Sequence, residues 1–173
     1  VEIIDLTETL EDKRKVYPGD PEVKIEVANT YAEDGYLVRK LALGSHTGTH
    51  VDSFSHMDKD GASLNKIPLD RFCGETYLVD KNQMFPEKKG LLFKESVGIA
   101  SLDKIIAAEP NFVGGAISES LERSLLKNEI VTFTNLVNLD LLPTGESFMF
   151  YGLPLKIKNG DGSPVRAVAI LEN

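Results

Sequence analysis

The chain has 173 residues, 42% hydrophobic and 27% charged. That is the make-up of an ordinary soluble globular protein, simplest as one domain and large enough for a core without disulfides. A formal net charge of −8 with no basic cluster excludes a nucleic-acid surface, and a single cysteine, Cys73, excludes an internal disulfide. With no basic-flanked apolar leader and no run of eighteen apolar residues, the expectation is a cytoplasmic protein without membrane contact.

Residues 1–7 read as a strand, followed by a charged loop over 8–21 that closes on the turn Pro18-Gly19-Asp20-Pro21. Alternation over 23–28 predicts a half-buried strand. Residues 36–52 predict a strand pair or one long strand. A polar loop over 58–65 and a helical turn over 69–73 come next, then strands over 75–79 and 90–93. Residues 101–108 predict a helix capped by Ser101, with Leu102, Ile105 and Ile106 as its apolar stripe. Residues 111–117 hold a short strand broken by Gly114-Gly115. A second helix over 119–127 carries Leu121, Leu125 and Leu126 on one face, and a strand follows at 130–133. After a turn over 139–142, the strands 147–155 and 165–171 read as a looped hairpin around Asn159-Gly160-Asp161-Gly162. The sum is mixed α/β: a β-sheet core with helices packed on one side and a second sheet allowed for.

All three histidines fall within eleven residues, His46-Thr47-Gly48-Thr49-His50-Val51-Asp52-Ser53-Phe54-Ser55-His56. Imidazole is the commonest protein ligand for transition metals and titrates nearest neutral pH. On an extended strand, positions 46, 50 and 52 share a face. The β-branched Thr47, Thr49 and Val51 favour that strand, and Gly44 and Gly48 disfavour a helix. Gly48, on the same face, would leave room above the backbone for an ion and a water. A buried Asp52 needs either a metal or a hydrogen-bond network to satisfy it.

His46 to Asp52, followed by His56, resembles the H-x-G-T-H-x-D-x-P-x-H signature of the Putative cyclase family, which includes bacterial kynurenine formamidase and isatin hydrolase. Flanking segments agree with it: Asp5-Leu6-Thr7, Tyr17-Pro18-Gly19-Asp20-Pro21, Gly152 to Ile157, and Gly162 to Ile170. The resemblance spans nearly the whole chain, with the middle, about 81–116, shortened. It implies a swivelling β/β/α-like arrangement, a homodimer, and metal-dependent hydrolysis of a small amide, usually N-formyl or cyclic, with zinc or manganese. Formylkynurenine, a compound of tryptophan catabolism, is the best-known substrate. By the same resemblance His46, His50 and Asp52 match the metal ligands, and His56 matches the general acid/base.

The chain also departs from the pattern. Aligned from Asn135-Leu136-Val137-Asn138-Leu139, the second-half histidine and glutamate of two-zinc formamidases are replaced by Glu122 and Thr134. Phe54 replaces the motif's proline. A two-zinc site of the usual composition therefore cannot form, which leaves a single-ion site with open positions. Glu122 is either a substitute oxygen ligand or a solvent-facing helix residue. Arg39, and after it Arg166, are candidates to meet a substrate carboxylate, against the plainer reading of surface or inter-strand ion pairs. Rival readings are a degenerate member that binds metal or a small ligand without catalysis, a different reaction on the same ligands, and a purely structural hydrogen-bond network.

Overall fold

The structure is a computed structural model describing residues 1–172. Its strands are β1 (Glu2–Asp5), β2 (Lys24–Asn29), β3 (Val38–Ala42), β4 (His50–Asp52), β5 (Cys73–Leu78), β6 (Gly90–Val97), β7 (Phe112–Ile117), β8 (Val131–Thr134), β9 (Ser147–Tyr151), β10 (Gly162–Pro164) and β11 (Val168–Leu171). Three short helices join them: α1 (Tyr31–Asp34), α2 (Leu102–Ala107) and α3 (Glu119–Lys127). Nine strands form one mixed sheet in the order β1-β11-β9-β5-β6-β7-β8-β4-β10. The run β5-β6-β7-β8 is parallel and the remaining pairings are antiparallel.

Each face of this sheet buries its own apolar set. On one, Phe112, Phe133 and Phe150 pack with centroids 4.8 to 5.4 Å apart, joined by Val51, Leu92 and Leu6. On the other, Leu91, Phe93 and Val113 meet Ile105 of α2 and Leu121 and Leu125 of α3. The period-two alternation of β6 and β7 thus sends alternate residues to the two cores, and both helices lie on the second face. The helix α3 has the span read from its leucines, and Ser118 caps it by accepting from the Leu121 amide at 3.3 Å.

Several expectations need correction. The strand over 23–28 is not half-buried in the main sheet: β2 pairs only with β3, as a two-stranded, largely exposed ribbon. This ribbon is the second sheet. Ser101 does not cap α2; it ends a 3₁₀ turn, Ile99–Ser101, and makes no capping bond. Gly114-Gly115 does not break β7. Gly115 has φ +97°, and a Cβ there would collide with the Phe93 carbonyl, so glycine lets β6 approach. The terminal hairpin is real, β11 on β9. Its connection, however, carries an unforeseen strand, β10, that pairs with β4 at the far end of the sheet.

Candidate metal centre

The centre is built on the last strands of the sheet, β8-β4-β10. In β4, Val51 points into the aromatic core and is fully buried, so His50 and Asp52 point to the opposite face. Register then sets their neighbours: His50 lies opposite Thr134, and Asp52 lies between Thr132 and Gly162. Directly opposed residues on one face are close enough to bond. Thr134 Oγ1 is 2.8 Å from His50 Nε2, and Thr132 Oγ1 is 3.2 Å from Asp52 Oδ2.

His46 reaches the same point by another route. Strand β3 ends at Ala42, and His46 sits in a turn rather than on an extension of β4. Gly48 interrupts the strand with φ +65°. The expected single extended face therefore holds only for His50 and Asp52. Nor is the space above Gly48 open: a Cβ there would lie 2.7 Å from Leu10 and 3.2 Å from Arg14 Nη1, so the loop over 8–21 covers it. The Gly48 carbonyl instead accepts from His50 Nδ1 at 2.7 Å and from Asn135 Nδ2 at 3.1 Å. That fixes the His50 ring with Nε2 toward the centre.

His46 Nδ1 lies 2.6 Å from Asp52 Oδ1, and its Nε2 lies 2.9 Å from Asp161 Oδ2. The ring packs on His56, centroids 3.9 Å apart. His56 closes the 3₁₀ turn Phe54–His56, with Nδ1 4.0 Å from Asp161 Oδ2. His46, Asp52 and His56 each offer a ligand atom, all within 4.8 Å of one another. His50 Nε2 is 3.5 Å from Asp52 Oδ1. Phe54 takes no part in the wall. Standing where the motif has proline, it is buried in the core.

The electrostatics follow from this crowding. Burial disfavours a charged His46, but the bond and charge of Asp52, then of Asp161, outweigh it and raise its pKa to about 9. Burial would raise the Asp52 pKa, yet the His46 bond and the two facing histidines hold it below the usual range. Glu122 does not face solvent. It turns from α3 into the cavity, with Oε1 3.1 Å from Thr132 Oγ1. Burial and the charge of Asp52 push it up to about 8. Burial and the charge of His46 lower the His56 pKa, so a neutral imidazole is favoured at pH 7.

His46, His50, Asp52, His56 and Glu122 line a cavity of about 480 Å³. Asp161, Thr132 and Asn135 are neighbours of the candidate site that sequence reasoning missed: they contact His46, Asp52 and the Gly48 carbonyl. Asp161 could have been flagged as an acid abutting the Gly162-Ser163-Pro164-Val165-Arg166 segment. Arg39 lies exposed on β3 and does not line the cavity. Arg166 forms a two-point ion pair with Asp5, at 3.0 and 2.7 Å, as the plainer reading had it. The donor set of buried carboxylate and imidazoles suits a divalent transition ion such as zinc or manganese.

Comparison with known proteins gives the family and the fold. Residues 4–111 match the family model described as Putative cyclase. An uncharacterized protein of Methanocaldococcus jannaschii is 36% identical over 194 residues, covering 99% of this chain and 100% of its own. A kynurenine formamidase of Salinibacter ruber is 31% identical over 205 residues, covering 96% of each. The fold matches the crystal structure of an isatin hydrolase bound to thioisatinate, with TM-score 0.82 at 17% identity over 99% of this chain and 93% of that one. It likewise matches isatin hydrolase A from Ralstonia solanacearum, with TM-score 0.80 at 19% identity over 99% and 92%. No helix among the described residues is long and apolar enough to cross a membrane. With the family model matched over residues 4–111, more than half of the chain, and a 31% identical kynurenine formamidase aligned over 96% of it, this chain belongs to the Putative cyclase family.

Proposed function

We propose that the chain is a divalent-metal-dependent hydrolase of a small amide, arylformamidase-like, with His46, His50 and Asp52 as the protein ligands and His56 as general acid/base. The observation that carries this reading is a carboxylate only 1% exposed, Asp52, whose Oδ1 has His46 Nδ1 at 2.6 Å and His50 Nε2 at 3.5 Å; His56 stands beside them, within 4.8 Å of His46 and Asp52, where it would serve as acid/base or, in place of His50, as the third ligand. A bound zinc or manganese ion would supply a Lewis acid for a carbonyl oxygen and acidify water. The protein's own groups do the rest. Gly48 holds His50 through Nδ1, and Asp161 steadies His46. Glu122 is the remaining oxygen donor beside Asp52. Nδ1 of His56 faces Asp161, which leaves Nε2 to accept a proton from water and return it to the leaving nitrogen. Kynurenine formamidases among the relatives and the resemblance to isatin hydrolases support amide cleavage.

Metal analysis after supplementation with zinc or manganese is expected to find roughly one ion per chain, lost in Asp52→Asn. Less than about a tenth of an ion would sink the reading. His56→Ala is expected to keep the ion and lose turnover of N-formyl aryl amines; persistent turnover would remove its assigned role. One observation favours the second reading, a centre that binds without catalysis. Thr134, standing where a ligand glutamate is expected, bonds His50 Nε2 at 2.8 Å. An ion bound stoichiometrically, with no N-formyl amine, cyclic imide or lactone cleaved, would be its signature.

A further inference from the structure

The cavity wall is mostly acidic or neutral, with Asp20, Asp52, Glu119 and Glu122 among its lining. Besides the histidines, its cations are Arg14 and Lys15, both from the loop over 8–21. Lys15 is exposed. Arg14 is held differently: its side chain is 17% exposed, its Nη2 donates to Glu8 Oε2 at 2.8 Å, and its Nη1 donates to the Thr9 carbonyl at 3.3 Å. Glu8 is itself fastened to the motif, because its amide donates to Thr49 Oγ1 at 2.9 Å and Thr49 Oγ1 donates to the Asn135 carbonyl at 2.5 Å. The loop is pinned further along by Lys13 N to Val23 O at 2.9 Å and by Ile25 N to Asp12 Oδ1 at 2.9 Å. The guanidinium therefore lies over Gly48, between the two histidines of β4 and the turn before it, in a fixed place.

A guanidinium carries five N–H donors. Two are used by Glu8 and Thr9 among the described residues, which leaves three on a pre-oriented planar fork at the cavity. Such a fork matches a carboxylate. We propose that Arg14 is a specificity-determining residue that takes a carboxylate carried by the amide substrate, so that the site selects anionic aryl amides over neutral ones. The proposal rests on the hydrolase reading above for the word substrate, but the anion contact itself does not. It gives to Arg14 the part that sequence reasoning offered to Arg39.

The test compares the metal-supplemented full chain on 2-, 3- and 4-formamidobenzoate and on neutral formanilide. For the best isomer, kcat/KM is expected to exceed that of formanilide at least tenfold, mainly through KM. In Arg14→Met the ratio of charged to neutral should fall at least fivefold. A loop-latch role alone would lower both substrates together and leave the ratio in place, and that result, or no preference in the native protein, overturns the proposal. Arg14→Lys keeps the charge without the fork and serves where Arg14→Met does not fold; its ratio should fall at least threefold, and an unchanged ratio again overturns the proposal. If no substrate is cleaved, the hydrolase reading fails and calorimetry decides for Arg14. The aminobenzoates should bind and aniline should not, with binding weakened at least tenfold in Arg14→Met. No binding, or binding indifferent to the substitution, overturns it.

Discussion

Oδ2 of Asp161 lies 2.9 Å from Nε2 of His46, a contact across 115 residues of chain. His46 has no strand to orient it, so its ring direction comes from its partners, Asp52 on one nitrogen and Asp161 on the other. The Asp161 backbone carbonyl also accepts from the Ser53 amide at 2.9 Å and from Ser53 Oγ at 3.0 Å. The loop before β10 is thereby fastened to the end of β4.

Asp161→Ala removes one side of that clamp and should weaken zinc or manganese binding about 10- to 100-fold, the usual effect of losing an orienting partner. Competition against a chromogenic chelator measures it. Native affinity in the variant would mean that His46 is positioned by Asp52 alone.

Gly162 sits opposite Asp52, and a Cβ there would fall 2.5 Å from His46 Cε1 and 2.8 Å from Nδ1. The ring is held by two carboxylates and cannot simply swing aside. Gly162→Ala should therefore displace His46 and cost about 1–3 kcal/mol by overpacking. A lowered thermal midpoint together with reduced metal content is expected; a variant matching the native protein in both would contradict the packing described.

Phe133 is fully buried, with Phe112 at 5.4 Å and Phe150 at 4.8 Å between centroids. It also fills the space beside Gly152. Phe133→Ala should destabilise the chain by about 3–5 kcal/mol through lost burial and the cavity left behind. Urea unfolding reads this directly, and a loss below about 1 kcal/mol would mean that the core collapses into the gap.

The Arg166–Asp5 pair ties β1 to the segment entering β11. The Arg166 bond holds the Asp5 carboxyl below its ordinary value of 3.8. A depressed folded pKa contributes stability above 3.8 that is lost as pH falls through the lower folded value. The pair is largely solvent-exposed, so its worth is at most about 1 kcal/mol. Asp5→Asn should melt slightly below the native protein at neutral pH, and the gap should close in acid. A gap that widens in acid would reverse the assigned sign.

The candidate site was legible in the sequence because three histidines and an aspartate in eleven residues is a dense local signal. Helix α3 was legible for a similar reason, its leucines repeating at helical spacing with charged residues between. What periodicity could not show was long-range pairing. Residues 159–162 look like any glycine-rich turn, and only the sheet order reveals that they deliver Asp161 and β10 to the motif. Extrapolating one strand through His46, His50 and Asp52 failed at Gly48, whose positive φ turns the chain where simple alternation would have continued it. Glu122 was ambiguous because a helix shows two faces, and which one meets β8 is decided by packing that no local window contains.

Strand β10 belongs to the sequence between β9 and β11, yet it pairs on the opposite flank of the sheet. During synthesis the histidine cluster leaves the ribosome about a hundred residues before the segment that clamps it. A nascent chain thus holds loose imidazoles with no assembled cage, and on the proposed metal-binding reading an ion would be captured only once the closing strand has docked.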